Sequence, residues 1–400
     1  MNIENCDFVV IGAGITGLFL AKNLAEKYPN KKIIIIEKEK DVGYHTSGRN
    51  SGVIHAGIYY KPNSLKAKFC KEGNEFLTNY CLKNNIHINK VGKLIVPTNE
   101  KELEKLYEIY DRANKNQAVV KLVDSYEAKQ IEPKVKVFQK AIWSPNTSTV
   151  NPLDILFSLK QELIEKEIVF LFNTNIFKIN CNDNTLKVIN GKRITIIKWR
   201  EKFINCAGLY ADKIAKIFGL AKHYIVLPFK GSYLQTNKRI LNTNVYPVPL
   251  LDSFLGVHWT VYKDKTKIGP TAFPVLSREN YHLFENIKIN ELFQSVIYNL
   301  ILAIKNDNYR KFALEEIKKY IGKNIFQQGL NLVEFDKEVI EDFKPSDPGI
   351  RAQILNTKTI KLEEDFIIEK TDNSIHVLNV VSPGFTSSYP FTKLIVNNYV

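Results

Sequence analysis

The stretch Asp7-Phe8-Val9-Val10-Ile11-Gly12-Ala13-Gly14-Ile15-Thr16-Gly17 decides how this chain is built. Its first five residues form a mostly apolar run of β-forming residues, which is typical of a buried parallel strand. Three glycines follow with the spacing GxGxxG, and apolar residues then recur at helical spacing (Leu18, Leu20, Ala21, Leu24). The stretch therefore predicts a strand, a tight glycine turn and a helix.

Each glycine of this motif has a distinct physical role. Gly12 permits the tight turn, Gly14 lets the backbone approach a pyrophosphate, and Gly17 lets the helix pack closely against the strand. The helix N-terminus then faces the phosphate charge. A second β-type run, Lys32–Ile36, ends on Glu37, which lies 20 positions after Gly17. At this spacing a carboxylate reaches a ribose hydroxyl, so the pattern predicts a dinucleotide-binding βαβ unit.

The motif suits NAD and FAD equally. The chain contains no second GxGxxG, whereas a flavoprotein that takes electrons from NAD(P)H commonly carries two such sites. We therefore predict an FAD enzyme that oxidises an organic substrate. Its electrons then leave to oxygen, a quinone or a carrier protein.

A polar, glycine-rich segment, His45–Tyr60, follows the motif. It is too polar for a core strand, and its position predicts polar chemistry beside the cofactor. Two later turns with small residues are further candidates for contact with the cofactor, one at 206–212 and one at 382–388. In addition to Gly12, Gly14, Gly17 and Glu37, the predicted cofactor-binding residues are Thr46, Ser47, Arg49, Asn50, Ser51, Gly52, Ala207, Gly208, Gly384, Thr386 and Ser387.

Composition limits the remaining possibilities. A chain of 400 residues with 44% hydrophobic and 24% charged residues is typical of a globular protein with two domains. The formal net charge is +14, but the lysines are scattered and form no basic block, so we expect no nucleic-acid partner. The five cysteines are widely spaced and odd in number, which argues against a disulfide framework and a zinc site. We expect no metal, a reducing, cytoplasmic location and no secretory signal.

Helical periodicity marks several further segments. Helices are predicted over 64–82, 99–114 with Asn99 as its cap, 153–166, 290–305, 309–321 and 393–399. The helix over 290–305 carries an apolar stripe, and basic residues lie nearby (Lys305, Arg310, Lys311, Lys318). Such a stripe can rest on the anionic inner face of a membrane. We favour the alternative, a domain helix packed on a sheet.

Several segments resemble the L-2-hydroxyglutarate dehydrogenases and oxidases, which are FAD enzymes of the D-amino-acid-oxidase-like superfamily. The segments that carry the resemblance span nearly the whole chain: 45–60, 64–70, 92–96, 203–212, 228–233 and 349–353. The run Asn50–Tyr60 is the most specific of them. The insert departs from the family at Lys263–Lys267, and Phe385–Ser388 matches only in its small polar residues.

The resemblance implies an α/β fold: a Rossmann-like FAD domain of the D-amino-acid-oxidase type, with an inserted substrate domain of antiparallel sheet and helices. We place the discontinuous FAD domain at 1–90, 150–222 and 340–400, and the substrate domain at 91–149 and 223–339. The resemblance also implies oxidation of L-2-hydroxyglutarate to 2-oxoglutarate. The electrons would pass to a quinone pool or another acceptor such as a carrier protein.

Oxidation of a 2-hydroxy acid requires a carboxylate clamp and a proton acceptor. Arg351, directly after a Pro-Gly turn, is the predicted clamp because its guanidinium binds a carboxylate bidentately. Imidazole has a suitable pKa for the acceptor, which favours His55, with His258 as the alternative. Lys230 and Tyr233 are candidates for the distal carboxylate of a dicarboxylic substrate. Tyr60 is a further candidate for substrate binding.

Two other functions remain open at this point. The first is an amine-oxidising enzyme on the same fold, such as a glycine- or sarcosine-type oxidase or an amino-acid dehydrogenase, because fold does not separate these reactions. The second is a flavin- or nucleotide-binding protein without turnover, such as a tRNA-modification or assembly factor. A substrate panel distinguishes the first, and a failure of every hydroxy or amino acid to bleach the flavin would favour the second.

Overall fold

A computed structural model describes residues 2–249, 256–282, 285–321, 324–335 and 337–400. The chain divides into two compact units. Unit 1 comprises Met1–Asn50, Pro152–Leu227 and Ala352–Val400. Unit 2 comprises Ser51–Asn151 and Pro228–Arg351.

The strands are β1 (Asn2–Ile11), β2 (Ile33–Ile36), β3 (Val53–Ile54), β4 (Ile88–Asn89), β5 (Lys93–Val96), β6 (Lys121–Asp124), β7 (Lys140–Ser144), β8 (Ser148–Val150), β9 (Val169–Leu171), β10 (Asn175–Asn180), β11 (Thr185–Asn190), β12 (Arg193–Asn205), β13 (Tyr224–Gly231), β14 (Leu234–Thr236), β15 (Asn244–Pro247), β16 (His258–Tyr262), β17 (Lys265–Gly269), β18 (Phe273–Pro274), β19 (Lys344–Pro345), β20 (Gly349–Asn356), β21 (Lys361–Leu362), β22 (Ile367–Lys370) and β23 (Ser374–Asn379). The helices are α1 (Ile15–Lys27), α2 (Leu65–Lys83), α3 (Glu100–Lys115), α4 (Ser125–Ile131), α5 (Pro152–Glu165), α6 (Ala211–Ile217), α7 (Ile289–Lys305), α8 (Asp307–Ile321), α9 (Asn324–Leu330), α10 (Lys337–Glu341) and α11 (Gly384–Tyr399).

Unit 1 is built on a sheet whose centre is parallel. Strands β23, β12, β1, β2 and β9 lie side by side in this order, and each neighbouring pair is parallel. The antiparallel strands β11 and β10 extend the sheet beyond β12, and β22 pairs with β23. All four residues of β2 are buried, as expected for a parallel strand covered on both faces. This confirms the predicted strand–helix–strand unit at the N-terminus.

Unit 2 is built on a larger, mostly antiparallel sheet. Its strand order is β19-β14-β17-β16-β15-β5-β7-β6, in which β5 and β15 run parallel. Alternate residues of β5 face two different cores: Leu94 and Val96 pack in a cluster with Trp259, whereas Ile95 packs in a cluster with Tyr246. Both faces of this strand are therefore buried.

The unit boundaries differ from those predicted. Residues 51–90, predicted in the FAD domain, lie in unit 2 because β3 and β4 at the two ends of this segment both pair with β8. Residues 340–351 also lie in unit 2, where β19 pairs with β14. Local sequence patterns carry no information on such long-range pairing, which is why the prediction misplaced these segments.

The predicted helices are present in the structure, except that the last one begins earlier than predicted. Asn99 caps α3 as predicted, its side chain accepting a hydrogen bond from the backbone N–H of Glu102 at 3.0 Å. The closing helix, predicted over 393–399, begins at Gly384 instead. The structure accommodates Pro390 within α11, whose Ser388 and Thr392 hydroxyls donate to backbone carbonyls four residues earlier.

Helix α7 presents its apolar stripe to solvent. Exposed fractions along it are 69% for Ile289, 60% for Phe293, 58% for Leu300 and 75% for Ile304. Our preferred expectation, that this stripe packs on a sheet, was therefore wrong. Among the described residues, no helix is long and apolar enough to cross a membrane.

Candidate functional site

Steric contacts require glycine at two positions of the turn after β1. Gly12 has φ +100°, a conformation that favours glycine, and a side chain there would meet the Cys206 carbonyl oxygen at 2.6 Å. A Cβ at Gly17 would lie 1.9 Å from the Gly12 carbonyl oxygen. Gly12 N–H donates to the Ile36 carbonyl at 2.8 Å, which joins the turn to β2. The first and third glycines of the motif thus hold strand and helix in close contact.

Glu37 follows β2 beside this turn. One of its carboxylate oxygens accepts from the Ala13 N–H at 2.8 Å and the other from the Glu39 N–H at 3.0 Å. The Ser47 hydroxyl accepts from the Ile15 N–H at 3.0 Å, in the first turn of α1. The side chains of Glu37 and Ser47, both predicted to bind the cofactor, therefore lie at the loop between β1 and α1.

The side chains of Arg49 and Asn50 hydrogen-bond to backbone carbonyls of residues 44–47. Arg49 Nε donates to the Tyr44 carbonyl at 2.7 Å, and Asn50 Nδ2 donates to the Ser47 and Thr46 carbonyls at 2.7 and 3.3 Å. Ser51 and Gly52, predicted with this group, belong to unit 2. There the Gly52 carbonyl accepts from the Val150 N–H at 2.8 Å.

The two later turns follow β12 and β23. Ala207 N–H donates to Asn205 Oδ1 at 3.1 Å, and Gly208 has φ +52°. Gly384, Thr386 and Ser387 lie in the first turns of α11 rather than in a loop, and all three are buried. The hydroxyl oxygen of Ser387 has no hydrogen-bond partner within the part of the chain that the structure describes.

These residues share one edge of the unit 1 sheet. Gly12, Glu37 and Ala207 directly follow, or lie within two residues of, the carboxyl ends of β1, β2 and β12, and Gly384 comes soon after β23. Because these strands are parallel neighbours, their carboxyl ends meet at the same edge, where α/β sheets bind nucleotides. The first turn of α1 contains no acidic side chain to repel a phosphate. The glycine turn, the carboxylate and the orphaned Ser387 hydroxyl fit a dinucleotide such as FAD.

The predicted substrate residues lie in unit 2. Burial lowers the pKa of Arg351 to about 10, opposed by a smaller electrostatic effect of Tyr60, so the guanidinium is cationic at neutral pH. Burial also raises the pKa of Tyr233, whose hydroxyl hydrogen-bonds with Ser51. Lys230 is only partly buried, and its Nζ donates to the Tyr281 carbonyl at 3.4 Å. The structure thus brings together Arg351 with Tyr60 and Tyr233 with Ser51.

His55 and His258 are both buried, at 9% and 5% exposure. Burial lowers the pKa of each to about 3, and they are close enough to interact electrostatically. His258 Nδ1 lies 2.8 Å from the Gly256 carbonyl oxygen. A carbonyl can only accept, so Nδ1 carries the proton and Nε2 keeps its lone pair. The His258 ring also stacks on Tyr246 with 3.8 Å between ring centroids.

Sequence reasoning missed a third basic residue in this cluster, Lys93. Its side chain is 1% exposed, and it acts electrostatically on both histidines. Burial lowers the pKa of Lys93 to about 7. Lys93 stands at the start of the apolar run Leu94-Ile95-Val96, a pattern that indicates a strand but does not single out the lysine. What the sequence could not show is that both faces of this strand are buried.

Comparison with known proteins agrees with this geometry. The family model described as FAD dependent oxidoreductase matches residues 7–397. L-2-hydroxyglutarate dehydrogenase of Escherichia coli K12 is 31% identical over 98% of this chain and 92% of its own length. The mitochondrial L-2-hydroxyglutarate dehydrogenase of Homo sapiens is 32% identical over 98% of this chain and 88% of its own length.

Solved structures support the fold. L-α-glycerophosphate oxidase from Mycoplasma pneumoniae, solved with FAD bound, has a TM-score of 0.74 at 22% identity and covers 99% of this chain and 96% of its own. Glycine oxidase from Geobacillus kaustophilus has a TM-score of 0.72 at 15% identity, with coverages of 99% and 94%. With the full-length sequence match and the dinucleotide edge of unit 1, these likenesses lead to one conclusion: the chain belongs to the L-2-hydroxyglutarate dehydrogenase family of FAD-dependent oxidoreductases.

Proposed function

We propose that this enzyme oxidises L-2-hydroxyglutarate to 2-oxoglutarate. The observation that carries the proposal is the group of buried basic residues in unit 2, which suits an anionic substrate with an ionisable hydroxyl. Its relatives named L-2-hydroxyglutarate dehydrogenase match nearly all of the chain. When bound, FAD supplies the hydride acceptor.

The cofactor would be held by unit 1. The glycine turn and the N-terminus of α1 would receive the pyrophosphate, and Glu37 would exchange its bond with Ala13 N–H for one with a ribose hydroxyl. The N-terminus of α11, with Gly384, Thr386 and Ser387, offers a positive dipole end to developing negative charge.

Arg351 would bind the carboxylate beside the reacting carbon. A guanidinium offers two parallel N–H donors, which fixes the orientation of the acid as well as its position. Arg351→Met is expected to raise KM sharply and to leave the protein yellow, because the glycine turn, Glu37 and the N-terminus of α11 that would hold FAD lie in unit 1. Unchanged kinetics in this variant would remove Arg351 from the site.

A histidine would accept the hydroxyl proton. The sequence favoured His55, but the fixed tautomer of His258 leaves Nε2 free to accept, and we therefore now prefer His258. An anionic substrate stabilises the imidazolium that forms, which offsets the effect of burial. His258→Gln should slow anaerobic flavin reduction by substrate more than His55→Gln does. The reverse order would return the assignment to His55.

Electrons would pass on to a quinone or carrier protein at a membrane surface, with α7 as the contact. Exposed lysines lie at both ends of α7 and in the following helix (Lys288, Lys305, Lys311, Lys318), and such a composition suits anionic lipid. Phe293→Glu should reduce sedimentation with anionic vesicles, whereas Phe177→Glu, at an equally exposed phenylalanine of unit 1, should not. No vesicle binding by the wild type, or self-association through this face instead, would overturn the assignment.

A substrate panel with a dye acceptor tests the reaction itself. L-2-hydroxyglutarate should be turned over with the highest kcat/KM, its D-isomer should be inactive, and glycine, sarcosine and L-amino acids should give little reduction. Preference for an amine would assign the enzyme to the amine-oxidising branch of the fold.

A further inference from the structure

Lys93 is a buried lysine for which the described residues supply no carboxylate partner. Its side chain is 1% exposed at the start of β5. Within the described part of the chain, no carboxylate or carbonyl oxygen pairs with its ammonium group. Instead Nζ lies 4.6 Å from the ring centroid of Tyr59 and 4.8 Å from that of Tyr246.

A second buried lysine, Lys22, shows how the protein balances a buried charge without a ligand. Lys22 is 9% exposed and pairs with two carboxylates, Glu26 at 3.0 Å and Glu162 at a shorter distance. Its charge is therefore balanced within the protein. Lys93 is more deeply buried, and no carboxylate among the described residues balances its charge.

Aromatic contacts do not replace the missing acceptor. The attraction between a cation and a tyrosine ring is weaker than the cost of burying a charge that has no hydrogen-bonding partner. The three N–H donors of an ammonium also need acceptors. An anionic ligand bound beside Lys93 would supply both the opposite charge and the hydrogen-bond acceptors.

We propose that Lys93 binds one carboxylate of a dicarboxylic substrate. This rests on the proposed function, in which Arg351 binds the other carboxylate, and it replaces Lys230 as the second cation. Lys93 lies beside both candidate proton acceptors, His55 and His258, whereas Lys230 is partly exposed and already donates to the Tyr281 carbonyl. Lys93 would therefore select dicarboxylic over monocarboxylic hydroxy acids.

The surroundings of Lys93 predict that the protein takes up a proton at this residue when a carboxylate ligand binds. Burial holds its pKa near 7, so the free enzyme is partly neutral at this position, and a bound carboxylate favours the charged form. The titratable groups that face it do not change charge near neutral pH. The pKa values of His55 and His258 are about 3, that of Cys70 is about 12, and those of Tyr59 and Tyr246 are raised by burial.

Calorimetric titration of the FAD-loaded protein with 2-oxoglutarate tests this directly. Titrations in two buffers of different ionisation enthalpy give the number of protons bound. Wild type should take up a fraction of one proton per ligand slightly above pH 7. Lys93→Met should take up none and should bind about tenfold to hundredfold more weakly, as expected for the loss of one charged hydrogen bond. Lys93→Arg should keep part of the affinity without the proton uptake.

Steady-state kinetics supply the specificity test. Lys93→Met should raise KM for L-2-hydroxyglutarate far more than KM for a monocarboxylic 2-hydroxy acid such as L-lactate. Lys230→Met tests the competing assignment, and Lys129→Met, at an exposed position of α4, is the neutral control. Flavin absorbance and Tm establish that each variant is folded.

The possible failures are distinguishable. If wild type oxidises L-2-hydroxyglutarate but Lys93→Met keeps its affinity and proton uptake, this inference is wrong and the proposed function stands. A larger effect of Lys230→Met would return the second cation to Lys230. If wild type neither binds 2-oxoglutarate nor oxidises L-2-hydroxyglutarate, both proposals fail.

Discussion

Burial disfavours the charged form of Lys93, His55 and His258 alike. Each has a pKa below its ordinary value in the folded protein. Each group therefore binds fewer protons in the folded state than in the unfolded state over some range of pH, and over that range stability rises with pH. The same groups that suit the site for an anionic substrate make the free protein less stable.

Replacement of Lys93 should reveal this cost. The unfolded pKa is 10.5 and the folded one about 7, so the penalty is fully present below pH 7 and disappears as pH rises toward 10.5. Lys93→Met should therefore be more stable than wild type at pH 6, by a few kcal/mol, and the difference should shrink at pH 10. Urea unfolding at the two pH values measures it. An equal or lower stability at pH 6 would show that the ammonium is not desolvated.

The histidines should act at lower pH. Between about pH 6.5 and 3 the unfolded chain protonates His258 while the folded chain does not, so stability falls as pH drops, by up to about 1.4 kcal/mol per pH unit for each histidine. In His258→Gln this decline should be shallower by about that slope. A decline identical to that of wild type would mean that His258 titrates normally in the folded state.

Gly17 and Gly208 are required to be glycine for different reasons, Gly17 because of a steric contact and Gly208 because of its backbone conformation. A Cβ at Gly17 meets a backbone oxygen at 1.9 Å, whereas one at Gly208 meets nothing within 4 Å and faces only the unfavourable φ of +52°. Gly17→Ala should therefore lose FAD and several kcal/mol of stability, and Gly208→Ala only about 1 kcal/mol. Flavin content and Tm provide the comparison. A yellow, stable Gly17→Ala protein would mean that strand and helix separate without cost.

At the scale of elements, local signals predicted much of what was found. The N-terminal strand, turn and helix could be predicted because GxGxxG specifies a conformation within a few residues, and Asn99 because a cap acts on its own helix. The start of α11 could not be predicted from local signals. The helix continues through Pro390, and its Ser388 and Thr392 hydroxyls donate to backbone carbonyls, which the residue pattern does not show. The exposure of the α7 stripe could not be predicted either, because periodicity gives the face of a helix but not what covers it.

The cap of α3 offers a measurable test at this scale. Asn99→Ala removes the acceptor for the Glu102 N–H and should cost about 1 kcal/mol, seen as a lower Tm. Asn99→Asp keeps an acceptor and adds a charge favourable to the helix N-terminus, so it should retain wild-type stability. Equal loss in both variants would exclude the cap as the cause.

At the scale of the whole molecule, most cofactor candidates belong to unit 1 and the basic cluster belongs to unit 2. The cofactor candidates of unit 1 follow the carboxyl ends of neighbouring parallel strands. The sequence predicted the individual turns but not that their strands are neighbours. The basic cluster of unit 2 consists of Lys93 in β5, His258 in β16 and His55 after β3, which are distant in sequence. Its two histidines could be named in advance, but Lys93 could not, since no local pattern shows that both faces of a strand are buried.

The most direct test is anaerobic addition of L-2-hydroxyglutarate to the purified protein. The account predicts yellow, FAD-loaded protein whose visible flavin absorbance is lost within the time of turnover, with 2-oxoglutarate formed in a one-to-one ratio to the flavin reduced. The D-isomer should leave the colour unchanged. A protein that is folded but colourless and takes up no FAD, or a yellow protein that L-2-hydroxyglutarate does not bleach, would contradict it.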